Sequence, residues 1–232
     1  VELTEELHRR YYSSRANRLR FHYKRCVWLL VVGGAKSLKR FLDITITAVV
    51  LIVLAPLFAI VGLAIKLTGG SVLFWQTRVG LWGREFPFPK FRSMVPNAEA
   101  LKLKIQEQNH HGTSVTFKMR NDPRVTWIGR IIRRLSIDEL PQLWCVLRGY
   151  MSLVGPRPPL PGEVARYTLR DRRRLDVKPG LTCIWQVSGR GDIPFAEQAE
   201  LDVRYIDSQS FLLDLVLLLR TVPAVLLGKG AY

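Results

Sequence analysis

Two adjacent carboxylates, Asp138 and Glu139, are the residues of this chain best suited to do chemistry. Arg133 and Arg134 precede them, and Ser136 stands three residues before Glu139. Ser-x-x-Glu is a capping-box pattern, so a helix is expected to begin at Ser136. A helix N-terminus exposes N–H groups and favours anions. Asp138 is therefore expected to stay ionised, beside a place where a phosphate can dock. Such a carboxylate can act as a nucleophile or hold a metal ion. Acidic residues in a first helical turn are also ordinary structure, so the window counts through the cations around it. Lys90 and Arg92 close an aromatic run at 86–91. Arg157 lies in Gly155-Pro156-Arg157-Pro158-Pro159, where prolines fix the backbone on both sides and a planar guanidinium is aimed at little entropic cost. Arg190 lies between Gly189 and Gly191, which let backbone and guanidinium approach an anion together. Asp214 sits in the apolar run 211–227, where a carboxylate is expected to pair with an arginine or a metal.

The elements that must position these groups read as α+β, mostly helical. Residues 72–76 and 86–91, with Gly80 and Gly83 between them, form a hairpin. Residues 96–109 form a charged helix and 125–135 a basic amphipathic one, with Trp127, Ile128, Ile131 and Ile132 opposite Arg130, Arg133 and Arg134. The helix from Ser136 resumes after Pro141 and runs over 140–147. Residues 163–176 are expected as one charged helix, 178–182 as a turn, 184–187 as a strand-like run and 196–208 as a helix.

Residues 44–65 carry no charge. As a straight helix they would be ~33 Å long, about the hydrocarbon thickness of a bilayer. Pro56 in the middle removes a helix hydrogen bond. Cations flank both ends: Lys36, Lys39 and Arg40 before, Lys66, Arg78, Arg84, Lys90 and Arg92 after. The positive-inside rule favours one face for both flanks, which a re-entrant helix broken at Ala55-Pro56 provides. A simple span and a buried soluble helix are the rivals.

Thirty-five basic against 19 acidic residues leave a net charge of +16. An anionic partner follows: nucleic acid, an anionic bilayer or a phosphorylated substrate. Basic and aromatic residues interleave over 2–25, as suits a membrane surface, nucleic acid or a solvated helix. The short apolar run 26–32 is expected to end at Gly33-Gly34. Three cysteines far apart in sequence indicate neither a disulfide framework nor a zinc site. Walker A, GxGxxG and GxSxG patterns are missing, so a nucleotide would not be held by a Rossmann-type loop.

Taken together, Lys39 to Asp43, Ala55-Pro56, Lys90 to Met94, Ser136 to Leu143, Met151 to Pro158, Lys178 to Thr182, Gly189-Arg190, Asp202 and Asp214 resemble the bacterial sugar transferases, the monotopic phosphoglycosyl transferases. The resemblance covers roughly 36–232. It departs from the usual pattern at Cys145, Cys183 and Ala55. It implies a basic segment at 1–35, a re-entrant membrane helix hairpin at 36–68 with its kink at Ala55 and Pro56, and a cytoplasmic catalytic domain with interfacial helices at 69–232. It implies transfer of a hexose-1-phosphate from a UDP-sugar to polyprenyl phosphate, with UMP released, at a bacterial inner membrane. Asp138 would be the nucleophile; Glu139 would help hold Mg²⁺, with Asp214. Arg133, Arg157, Arg190, Lys90 and Arg92 would bind phosphate. Expected partners are these two substrates and an anionic bilayer, not nucleic acid; a second copy of the chain is a possible one. The basic N-terminal segment points to the larger members of the family. A rival from another class is a non-catalytic membrane-anchored scaffold, which explains the charge and the apolar stretch but not Asp138-Glu139.

Overall fold

A computed structural model describes residues 15–98, 101 and 122–227, with backbone only for 15–18, 25–32, 191, 226 and 227. Most of the expected helix at 96–109 lies outside the described residues. The chain divides into two compact units, 1–42 and 43–232. The boundary falls within the first helix, α1 (Arg15–Leu67), which holds Gly33, Gly34 and Pro56. Neither the expected end at Gly33-Gly34 nor the expected break at Ala55-Pro56 interrupts the helical assignment. Proline removes one backbone hydrogen bond and can bend a helix without ending it.

Within the second unit, Asp43, Thr47, Val61 and Ile65 of α1 are buried, and Val50, Leu51, Leu57 and Phe58 pack against core clusters. Their spacing follows the 3.6-residue period of one helix face. Val49, Ile52, Val53, Ile60 and Leu63 form an exposed apolar face. By length and composition, the stretch Gly33–Leu67 is long and apolar enough to cross a membrane.

The hairpin forms as expected and is longer: β1 (Leu73–Val79) pairs antiparallel with β2 (Glu85–Phe91). Pro87 and Pro89 are tolerated because a two-stranded ribbon leaves one edge of β2 unpaired. Phe86 and Phe88 enter a core with Leu143, Val146, Met151, Leu153, Val154 and Tyr205, while Phe91 joins Val61, Ile65, Ile128 and Ile132. The helix α2 (Trp127–Arg134) is capped by Thr126, whose hydroxyl accepts from the Gly129 N–H. After it come a 3₁₀ helix (Ile137–Gln142) and α3 (Leu143–Arg148).

Three expectations are corrected beyond this point. The helix expected over 163–176 is three short pieces: α4 (Pro161–Val164), α5 (Leu169–Arg172) and a 3₁₀ turn (Arg173–Leu175). Thr168 and Asp171 form a capping box, so a new helix starts there instead of an old one continuing. The turn expected at 178–182 contains β4 (Gly180–Thr182), parallel to β3 (Ser152–Val154). The strand-like run is the helix α6 (Ile184–Ser188). A strand at β4 is possible because Gly180 packs on Gly155, where any Cβ would lie 2.0 Å from the Gly155 nitrogen. Pairing made over such a distance in sequence is invisible to local pattern. The chain ends its described part in α7 (Phe195–Ser208) and α8 (Phe211–Leu227).

Candidate active site

Asp138 and Glu139 stand in the 3₁₀ helix against β2, in a cavity of about 920 Å³. The expected α-helical capping box is not formed. Ser136 is left-handed (φ 54°) and makes no side-chain cap bond. Glu139 instead spends its carboxylate across the cavity: its Oε1 accepts from Lys90 Nζ at 2.7 Å and from Arg157 Nη1 at 3.2 Å. A non-glycine residue in the left-handed region is uncommon. Here it turns the chain sharply between α2 and the acidic pair.

The two carboxyls diverge in charge behaviour. Burial opposes ionisation of both. For Glu139, Lys90 and Arg157 outweigh it and hold the carboxyl well below the usual range. For Asp138, burial pushes the carboxyl up to about 6, with Lys90 opposing and the Glu139 charge adding to the rise. At neutral pH Asp138 is thus still mostly ionised, but not for the expected reason: the first turn is 3₁₀ and the carboxyl is buried, so desolvation works against its charge. Burial likewise lowers the Lys90 ammonium, partly offset by Glu139.

Lys90, Arg92, Arg133, Arg157 and Arg190 all line this cavity. Lys90, Arg133 and Arg157 act on the charge of Asp138 and Arg190 feels that of Glu139, whereas the Arg92 guanidinium lies against Gly70. Arg190 is left-handed (φ 54°) at the start of a 3₁₀ turn. Asp214 is placed elsewhere. It does not line the cavity; its carboxylate accepts from the Tyr205 hydroxyl at 2.7 Å, and that hydroxyl also lies 3.1 Å from the Val154 carbonyl. Among the described residues no cluster of three or more His, Cys, Asp or Glu could cage a metal.

The cavity also holds residues that the sequence did not assign to it, Arg78 having been expected only as a cation flanking the apolar stretch. Arg78 donates to the Pro158 carbonyl at 3.0 Å, and Arg174 is buried against Asp202. Arg174 looked like one cation of a charged helix, and only tertiary packing turns it inward. Leu54 and Leu57 of α1, Leu181, and Ala224 and Val225 of α8 give the same cavity an apolar part of its lining. Thr182 and Thr221 meet there, with their hydroxyl oxygens 2.7 Å apart.

One cavity thus joins cations, an acidic pair and apolar residues of α1 and α8, groups whose chemistry suits an anion carried with an apolar group. Residues 34–228 match the family described as bacterial sugar transferase, and the chain belongs to that family. It is 46% identical over 194 residues to the galactosyl transferase CpsE of Streptococcus agalactiae, a match covering 83% of this chain and 43% of that protein. It is 40% identical over 205 residues to the exopolysaccharide production protein ExoY of Sinorhizobium fredii, covering 87% and 90%. It is 39% identical over 206 residues to the undecaprenyl-phosphate galactose phosphotransferase of Salmonella typhimurium, covering 88% and 43%. The chain thus spans less than half of the first and third relatives and most of the second.

Proposed function

We propose that this chain is a phosphoglycosyl transferase that moves a hexose-1-phosphate from a UDP-sugar to polyprenyl phosphate and releases UMP, initiating an exopolysaccharide, capsule or O-antigen chain. The observation that carries the reading is the Asp138-Glu139 pair, Asp138 buried and Glu139 half-buried and held by Lys90 and Arg157, in a cavity lined also by α1 and α8. The names of the relatives support the substrate classes.

Asp138 attacks the sugar-bearing phosphorus of the donor. A bond forms from its carboxylate oxygen to phosphorus, the bond to the bridging oxygen breaks, and UMP leaves with that oxygen. A phosphate oxygen of the polyprenyl phosphate then attacks the same phosphorus and frees the carboxylate. No proton moves in either step. A carboxylate approaching a diphosphate meets repulsion, which Arg157, Lys90, Arg133 and Arg190 offset. The family implies Mg²⁺, which prefers oxygen ligands and takes one or two protein carboxylates alongside phosphates and water. Glu139, held ionised in the cavity, fits that role; Asp214, bonded to Tyr205 outside it, does not reach the same place. A bound Mg²⁺ would neutralise charge on the phosphates.

The exposed apolar face of α1, with Lys36, Lys39 and Arg40 before the apolar stretch and the exposed Lys66 and Arg84 after it, supports a helix that enters and leaves the bilayer on the cytoplasmic face of the inner membrane; Arg78, buried against Pro158, drops out of that flank. The other face of the helix is covered by its own catalytic unit, which a bare transmembrane span would not need.

The test is intact-mass spectrometry of the chain with Mg²⁺ and a panel of UDP-sugars, without acceptor. A hexose-phosphate adduct on Asp138, cleared by polyprenyl phosphate, is expected, and the panel names the sugar. Neither adduct nor UMP from a folded chain, with or without acceptor, would favour the scaffold reading.

A further inference from the structure

Arg157 sits in a segment that has almost no donors of its own. Pro156, Pro158 and Pro159 lack N–H groups, so neighbours can hold the segment by hydrogen bonds chiefly through its carbonyls. All four carbonyls from Pro156 to Pro159 are taken, each by a different residue. The Pro156 carbonyl accepts from the Gly180 N–H of β4 at 2.9 Å, and the Pro159 carbonyl accepts from the Val79 N–H of β1 at 2.9 Å. The two in the middle accept from guanidiniums: Arg157 from Arg174 Nη2 at 3.4 Å, and Pro158 from Arg78 Nη1 at 3.0 Å.

Both guanidiniums are themselves fixed. Arg78 is buried, donates from Nη2 to Gln76 at 2.8 Å, and has its guanidinium carbon 5.3 Å from the Phe88 ring centre. Arg174 is buried, with Nε 2.9 Å from Asp202 Oδ2 and Nη1 2.6 Å from the Tyr167 hydroxyl, and the rings of Tyr167 and Phe195 lie 5.5 and 5.6 Å away. Asp202, itself wholly buried, balances the Arg174 charge. Only Arg157 leaves this frame, reaching Glu139 with Nη1.

We infer that Arg78 and Arg174 are positioning residues: they clamp the peptide carbonyls on either side of the Arg157–Pro158 bond and so aim the Arg157 guanidinium at Glu139 and the substrate phosphate. The inference rests on the reading of Arg157 as a phosphate ligand. A clamp of this kind acts only through the residue it aims, so its effect must vanish when Arg157 is absent.

The experiment is a double-mutant cycle on the full chain. Arg78→Met and Arg174→Met are each made in the native and the Arg157→Met background, and UMP release is read in single turnover with enzyme in excess, where slow rates stay measurable. A loss of about tenfold or more in the native background and less than twofold in the Arg157→Met background is expected. Equal losses in both backgrounds would mean a direct substrate contact or a general structural role and would overturn the inference. Hydrogen exchange of the peptide spanning Gly155 and Arg157 is the second readout, made at temperatures where each variant is folded. Exchange at least tenfold faster in both single variants is expected, and unchanged exchange would overturn the clamp. If the native chain releases no UMP, the functional reading falls while the exchange measurement still decides the clamp.

Discussion

Asp138 and Glu139 share a peptide bond and a cavity but differ in charge behaviour. Glu139 is held ionised by Lys90 and Arg157, whereas burial pushes Asp138 up to about 6. In the proposed mechanism Asp138 reacts as the carboxylate, so the rate of adduct formation should rise with pH through about 6 and level off above it. Stopped-flow or quenched mass spectrometry across pH 5–8 checks this; a rate independent of pH over that range would argue against Asp138 as the attacking group. Stability runs the other way. A carboxyl whose folded value lies above its unfolded one holds its proton more tightly when folded, so its contribution is lost as pH rises from about 4 to about 6. Asp138→Asn should therefore abolish adduct formation and, at pH 7.5, raise rather than lower Tm, by about 2–4 °C for each kcal/mol relieved at this chain length. Asp202 shows the same sign: burial pushes it up to about 6 against the pull of Arg174.

At the scale of elements, α1 and the paired strands hold the site, and each has one residue on which the holding turns. Asp43 of α1 accepts the Leu153 N–H of β3 at 3.2 Å in a buried setting. Asp43→Ala leaves that donor unpaired and should cost about 1–3 kcal/mol, while Asp43→Asn, which keeps an acceptor, should cost less. Urea melts of the two variants measure the difference. Gly180 admits no side chain, since a Cβ would also lie 2.6 Å from the Gly155 carbonyl oxygen. Gly180→Ala should force β4 from β3, release the Pro156 carbonyl, and cost about 1–3 kcal/mol or more. The course of α1 in the bilayer is an element-scale question too. Cysteines placed near Lys36 and near Gly70 should be labelled from the same side of sealed vesicles, and labelling from opposite sides would mean a true span.

For the molecule as a whole, the net charge of +16 and the apolar outer faces act together. On α8, Phe211, Leu212, Leu215, Leu219 and Val222 are exposed, while Asp214 and Leu217 face inward. On α2, Trp127 and Ile131 are exposed beside Arg130 and Arg134. Such surfaces suit the headgroup level of an anionic bilayer. Cosedimentation should show stronger binding to anionic than to zwitterionic vesicles, with the difference shrinking at 0.5 M salt, where the Debye length is only ~4 Å. Leu215→Glu with Leu219→Glu should weaken vesicle binding without slowing adduct formation from the water-soluble donor.

The acidic pair, its cations, the hairpin and the apolar stretch were legible in the amino-acid sequence because each is a local pattern: adjacent charges, prolines beside an arginine, glycines between apolar runs. The family followed from their order along the chain. What local pattern could not reach was long-range pairing. The β3–β4 ladder joins residues 28 apart in sequence and depends on two glycines in contact. The 44–65 stretch is apolar on both faces, so its periodicity does not distinguish the face covered by the catalytic unit from the face left bare. Arg78 and Arg174 read as two cations among 35, and folding alone buried them against carbonyls of a proline-rich segment that has few donors of its own. The sequence by itself determined the family, the excess of positive charge and an uncharged stretch long and apolar enough to enter a membrane. Tertiary packing decided which carboxylate would be held ionised, and which arginine would be aimed and which would do the aiming, because desolvation and hydrogen-bond geometry exist only once the chain has closed around them.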